Sequence, residues 1–144
     1  MDIVVIRFFS VRKGLTDEWK RGGVTKEVDF AFLTDLMSKT WSGMTTREYK
    51  NYKGLTKENL RDNMSDTELV LNMLAEASTR DISRVEKPDG FEESREVAKR
   101  GGSVAGAARR ALEAETSKPV ITSQNAAQLG TLMVDLLGSA ADIE

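Results

Sequence analysis

The sequence contains no cysteine and no histidine among its 144 residues. These absences exclude disulfide bonds, thiolate nucleophiles and zinc sites built from cysteine or histidine. They also remove imidazole, the side chain that most often performs general acid–base catalysis near neutral pH. We therefore expect a protein that is not an enzyme and that uses neither a metal ion nor another cofactor.

Proline occurs only twice, and aromatic residues make up 6% of the chain. With 40% hydrophobic and 31% charged residues, the composition predicts an ordered, mainly α-helical chain. The length suits a single domain, so we expect residues 1–144 to form one compact bundle of about six to seven helices.

Long hydrophobic runs are also absent. The opening MDIVVIRFF is too short to span a membrane, is interrupted by Arg7, and is not followed by a small-residue cleavage site. Its β-branched residues predict a short β-strand or extended arm over residues 1–10. We expect a cytoplasmic protein without membrane contacts.

The net charge is only −2, so the chain as a whole does not attract nucleic acid. The charge is unevenly distributed, with about +3 in residues 1–64 and about −5 in residues 65–144. The two parts could attract each other, or each could meet a different partner.

Helix boundaries are indicated by capping residues. Thr45 with Glu48, and Ser65 with Glu68, have the spacing of a capping box. Glycine or proline follows several apolar stripes. One of them consists of Val28, Phe32 and Leu36 with Ala31, Leu33 and Met37, and Gly43 follows it. The predicted helices are at about 17–21, 26–40, 46–53, 66–86, 91–100 and 104–116, with a last one capped by Ser123. A brief turn capped by Thr56 is predicted at about 57–63.

Glycine-containing stretches are interpreted as helix junctions. The letters KGLT occur at Lys13 and again at Lys53, and each copy predicts a glycine stop followed by a threonine cap. Gly101–Gly102 before Ser103 has some likeness to a phosphate-binding loop, but the lysine–serine ending of that motif is missing. We interpret it as a turn between two closely packed helices.

A basic set lies in the middle of the chain. Such residues could follow phosphates along a groove while two tyrosines stack on bases, or they could be a solvated helix face, which the slightly acidic chain favours. The nucleic-acid alternative uses Arg47, Tyr49, Lys50, Tyr52, Lys53, Lys57 and Arg61.

Several polar residues in and near the same stretch are explained neither by helix capping nor by packing in the core. These side chains are the candidates for contact with a partner protein: Lys50, Lys53, Lys57, Arg61, Asn72 and Glu76. A carboxylate enzyme built on Asp62, Asp66 and Glu76 is a third possibility. It would need two carboxylates in one cleft with separated pKa values, which no pattern here indicates.

The last predicted helix is apolar along one face. Its stripe would be buried in the chain's own core, or shared with a second copy or with a partner's groove. The residues are Leu129, Leu132, Met133, Leu136 and Leu137.

Two stretches are similar to a known family, namely REYKNYKGLTKENLRDNMSDTELVLNMLAEAS and EKPDGFEESREVAKRGGSVAGAARRALEAETSKPVITSQNA. They resemble the carboxyl-terminal region of BRO-type phage antirepressors and of bacterial DNA-damage-inducible protein D. The similarity covers about residues 11–128 and fades beyond about Gln128, so we expect the last helix to be this protein's own addition. Family members usually carry a DNA-binding Bro-N domain ahead of this region, and only residues 1–10 precede it here.

The resemblance implies a helical interaction module from a phage or another mobile element, without the DNA-reading domain. Antirepressors act by binding a repressor, and the damage-inducible branch is associated with DNA-damage responses. We therefore expect an inhibitor that binds a repressor, a recombination protein or a host defence nuclease. The family offers no catalytic motif to transfer.

Overall fold

The computed structural model describes residues 3–128. It is a mainly α-helical bundle, as predicted, and within that range it contains no β-strand. The helices are α1 (Ile3–Arg21), α2 (Glu27–Ser42), α3 (Thr46–Tyr52), α4 (Asp66–Glu86) and α5 (Gly90–Thr116), with a short 3-10 turn at Arg61–Asn63. Helix α4 packs against α1 and α5, and α5 also packs against α2.

The predicted strand or arm over residues 1–10 is wrong, because α1 is continuous from Ile3. The first KGLT lies inside this helix, so Gly14 is not a stop. A Cβ at Gly14 would lie 3.0 Å from Cδ of Arg80 on α4, so glycine allows the two helices to approach. No strand lies beside the β-branched run anywhere in residues 3–128, and strand propensity without such pairing is weak.

Helices α2 and α3 have the predicted ends, and only part of the predicted apolar stripe of α2 is buried. Gly43 ends α2 in the left-handed conformation (φ 83°), and Thr45 caps α3 in a complete capping box. Two members of the predicted stripe are exposed, Val28 at 70% and Phe32 at 48%. Leu33 and Met37 of the same stripe are buried, together with Trp41.

Helix α4 begins at the predicted capping box of Ser65 and Glu68 and ends at Glu86. Helix α5, by contrast, passes through Gly101–Gly102 without a break. A Cβ on Gly101 would lie 1.8 Å from Oγ1 of Thr79 on α4. The glycines therefore permit close helix packing, as predicted, but they do not form a turn, and Ser103 is not a cap.

Two clusters of buried side chains form the core. Trp41, Tyr49 and Leu71 belong to one cluster, and Leu15 and Trp19 belong to the other. The segment after α5 returns to the first cluster, where Ile121 is buried.

The helix that begins near the end of the described range is capped by Asn125, not by Ser123. The backbone N–H of Gln128 donates to Oδ1 of Asn125 at 3.1 Å, and the backbone N–H of Asn125 donates to Oε1 of Gln128 at 3.1 Å. The backbone N–H of Ala126 also donates to Oδ1 of Asn63 at 2.8 Å.

Candidate functional site

A cleft lies where α1, α2, α3, α4 and the 3-10 turn meet. It consists of two adjoining hollows of about 300 and 630 Å³, which share Arg12, Thr34, Thr46 and Lys50. Their walls carry four basic side chains (Arg12, Arg47, Lys50 and Arg61) and two acidic ones (Asp35 and Glu76). We call this net positive site the basic cleft.

Glu76 lies at the base of the basic cleft and is only 3% exposed. Its Oε1 accepts hydrogen bonds from Nη1 of Arg12 at 3.3 Å and from Nη2 of Arg61. Its Oε2 is buried and has no hydrogen-bond partner among residues 3–128. A buried carboxylate oxygen is costly without a donor, so an N–H or O–H that reached this atom would stabilise it.

Arg12 joins α1 to two neighbouring helices. Its Nη2 donates to Oγ1 of Thr34 on α2 at 2.8 Å, and its guanidinium lies 5.5 Å from the ring centroid of Trp19. Burial lowers the pKa of Arg12, and the negative charge of Glu76 opposes that shift. An arginine so held remains charged and positions the carboxylate.

Two half-buried polar side chains of the cleft are free. The amine of Lys50 on α3 and the amide of Asn72 on α4 have no side-chain partner within residues 3–128. The capping box of Thr45 and Glu48 fixes the start of α3 and thereby the position of Lys50. The cleft therefore offers donors and an acceptor that the described chain does not use.

Lys53, a predicted partner-binding residue, is instead buried at 2% exposure. Its Nζ donates to Oε1 of Glu68 at 3.0 Å and to the backbone carbonyls of Thr122 at 2.9 Å and Gln124 at 2.6 Å. Burying a lysine is tolerated when a carboxylate and further acceptors surround it. This lysine fastens the segment after α5 to the bundle and has no surface to offer a partner.

Tyr49 is also inside the protein. Its hydroxyl donates to Oε2 of Glu68, and burial together with this hydrogen bond raises the pKa of the phenol. A fully buried ring cannot stack on a base. The nucleic-acid alternative thus loses Tyr49 and Lys53, and retains Arg47, Lys50, Tyr52, Lys57 and Arg61 at least partly exposed.

Lys57 is exposed but lines neither hollow of the basic cleft. Four of the six predicted partner-binding residues are therefore brought together in one place, namely Lys50, Arg61, Asn72 and Glu76. Lys53 and Lys57 are not.

The three carboxylates of the enzyme alternative do not share one site. Asp66 is exposed in the first turn of α4, Asp62 is exposed in the 3-10 turn, and Glu76 is buried under two arginines. Asp62 does not line the basic cleft. The arrangement is an ion-pair cluster rather than two facing carboxylates of the kind that acid–base catalysis needs.

The apolar stripe of Leu129, Leu132, Met133, Leu136 and Leu137 lies outside the described residues. Its predicted role in a dimer or in a partner's groove stays a prediction.

Arg12, Thr34 and Asp35 are site residues that the sequence interpretation missed. Arg12 meets a carboxylate that is 64 positions away in the chain, and no local spacing rule connects such residues. Glu76 itself was the signal in the sequence that could have predicted such a residue. A glutamate on the buried side of a helix requires a cationic partner.

Comparisons with protein-family models, with curated proteins and with solved structures give no match. In the part of the chain that the structure covers, no three acidic side chains are grouped so that they could hold a metal ion. None of the helices described is long and apolar enough to cross a membrane.

Proposed function

We propose that this chain is a protein-binding module that inhibits its target by occupying part of the target's surface, without catalysing a reaction. The proposed targets are a repressor, a recombination protein or a nuclease of host defence against phage. The proposed setting is the cytoplasm of a cell that carries a phage or another mobile element.

One observation carries the proposal. Lys50, Arg61, Asn72 and Glu76 line one cleft, although they come from α3, the 3-10 turn and α4. The side chains of Lys50 and Asn72 have no partner side chain within residues 3–128, so they can bind groups of another molecule without first breaking a contact. The basic cleft is therefore the part of the described surface best suited to receive polar groups of another molecule.

The resemblance to the antirepressor family supports the same proposal. The similar stretches include the end of α3, the 3-10 turn and α4, which together build much of the basic cleft. An interaction module without a catalytic motif is what that resemblance implies.

Affinity capture from the native host tests whether the chain binds a protein. We expect one partner in stoichiometric amount, a stable complex by light scattering, and loss of the partner's own activity in that complex. A chain that stays alone under these conditions, or that leaves the captured partner fully active, would contradict the inhibitor proposal.

Nucleic acid is the second candidate, because Arg47, Lys50 and Tyr52 are accessible on α3. A low-salt anisotropy titration with single-stranded and duplex DNA separates the two candidates. Binding to DNA that is weakened when Arg47, Lys50 and Arg61 are replaced by alanine would favour this second candidate. We expect no such binding, since the buried Tyr49 and Lys53 cannot contribute to it.

A further inference from the structure

Two kinds of accessible side chain line the basic cleft without a side-chain partner within residues 3–128. Arg47 and Lys50 are cations, whereas Asn51 and Asn72 are amides. All four are exposed or half-buried, so another molecule can reach them. An occupant of the cleft should bring groups that match both kinds.

The two cations require negative charge from outside. The acids of the cleft are already engaged by the described chain, because Oδ1 of Asp35 accepts a backbone N–H at 3.2 Å and Oε1 of Glu76 accepts from two arginines. Four basic and two acidic side chains leave the lining with a net charge of +2. Carboxylates on the occupant would pair with Arg47 and Lys50 and offset this charge.

The spacing of the two cations restricts how those carboxylates are arranged. Arg47 and Lys50 are three positions apart on α3, so they share a face, with Cβ atoms about 5–6 Å apart. In an extended peptide the side chains at i and i+2 also share a face and lie about 6–7 Å apart. Two acidic residues separated by one other residue therefore match the two cations.

The two amides suit the backbone of such an extended segment. A side-chain amide has an acceptor and two donors, so it can bind the C=O and the N–H of a peptide group together. Asn51 follows Arg47 by four positions and lines the same hollow, while Asn72 lines the other hollow from α4.

The lining is less suited to single-stranded nucleic acid. No aromatic side chain of the described chain lines either hollow, so bases would have no ring on which to stack. Tyr52 is exposed on α3 but lies outside both linings. The observations therefore favour a peptide that carries negative charge.

We propose that the partner binds the basic cleft with an extended acidic segment, in which two carboxylates two positions apart pair with Arg47 and Lys50. The amides of Asn51 and Asn72 hold the backbone of this segment. The inference rests on the proposed function, since it takes the occupant to be part of the target protein. It narrows the target to proteins that expose two acidic residues with one residue between them.

Three short peptides with capped ends test this inference by anisotropy titration of the full chain. The first has two aspartates two positions apart, the second has asparagines in their place, and the third has its two aspartates at opposite ends. We expect the first peptide to bind at least about tenfold more tightly than the second, because the second lacks charge-assisted hydrogen bonds. The third should bind more weakly than the first, and equal affinity of the first peptide and either other would overturn the inference.

Variants of the chain assign the contacts. Arg47→Gln and Lys50→Gln should each weaken the first peptide by about tenfold and leave the second unchanged, with unaltered helical circular dichroism. Asn72→Ala should weaken both peptides alike, because its contact is with the backbone. Lys57→Gln is the matched control, an exposed lysine that lines neither hollow, and should bind as the wild type does. An equal loss in Lys57→Gln and Lys50→Gln would mean general charge attraction and would overturn the inference.

Two comparisons separate the remaining outcomes. Oligothymidine that binds more tightly than the first peptide would assign the cleft to nucleic acid and overturn the inference. If an inhibited partner is captured but the first peptide neither binds nor competes with it, the acidic segment is wrong and the proposed function stands. If the peptides behave as expected but no partner is captured, the recognition of acidic segments stands and the proposed function is contradicted.

Discussion

At the scale of residues, Lys50, Lys53 and Lys57 follow one another closely in the chain but have three different environments. Lys50 is half-buried at the basic cleft, Lys53 is sealed inside with Glu68, and Lys57 is exposed. All three lysines were predicted to contact a partner. Their spacing in the sequence cannot show which of them lies next to a carboxylate on a later helix. Helix caps were predictable here, since a cap depends on neighbours within one turn.

Replacing Lys53 by methionine should destabilise the protein by about 3–5 kcal/mol, because Glu68 would keep a buried charge without its partner. Chemical denaturation measures this change. Lys57→Met is the control and should change the free energy of unfolding by no more than about 0.5 kcal/mol, as expected of an exposed site. Equal stability of the two variants would mean that the Lys53 amine is hydrated in solution.

Tyr49 should make the protein sensitive to alkali. Its pKa is raised in the folded state, so its contribution to stability is present below the ordinary tyrosine pKa of about 10 and is lost as the pH rises through the folded-state value. In Tyr52→Phe, which leaves Tyr49 as the one remaining tyrosine, phenolate absorbance should appear only together with loss of helical circular dichroism. Phenolate formation near pH 10 in a fully helical protein would contradict the buried position of Tyr49.

At the scale of elements, the two KGLT stretches show what local sequence cannot decide. The copy at Lys53 ends α3, and Gly54 has a φ of 72°, as a glycine stop requires. The copy at Lys13 is helical, because Gly14 lies against Arg80 of α4 and the flanking residues Leu15 and Trp19 are buried. Identical letters thus take two structures, and tertiary packing decides between them.

Gly101 in α5 tests how closely α4 and α5 pack. Gly101→Ala should lower stability by about 2 kcal/mol or more through the clash with Thr79, although alanine favours a helix over glycine by about 1 kcal/mol. Thermal denaturation compares it with Ser103→Ala, which changes an exposed position of the same helix and should be nearly neutral. A stabilised Gly101→Ala would show that α4 and α5 are farther apart than described.

At the scale of the whole molecule, the helical class was predictable because composition and apolar periodicity are summed over many residues. The basic cleft was predictable only in part. Lys50, Arg61, Asn72 and Glu76 were identified as polar residues without a local role, whereas Arg12 and Thr34 enter the site through the packing of α1 and α2. Which buried face a helix uses also depends on that packing, as the outward Val28 and Phe32 show.

The central claim is that the basic cleft receives a protein partner. The dissociation constant of the captured partner, measured by titration calorimetry for the wild type, Lys50→Glu and Lys57→Glu, tests it most directly. The side chain of Lys50 has no partner within the described residues, so reversing its charge should leave the thermal midpoint unchanged. We predict at least about tenfold weaker binding for Lys50→Glu, the effect of losing one charge-assisted hydrogen bond, and unchanged binding for Lys57→Glu. Equal affinity of Lys50→Glu and the wild type would contradict the account.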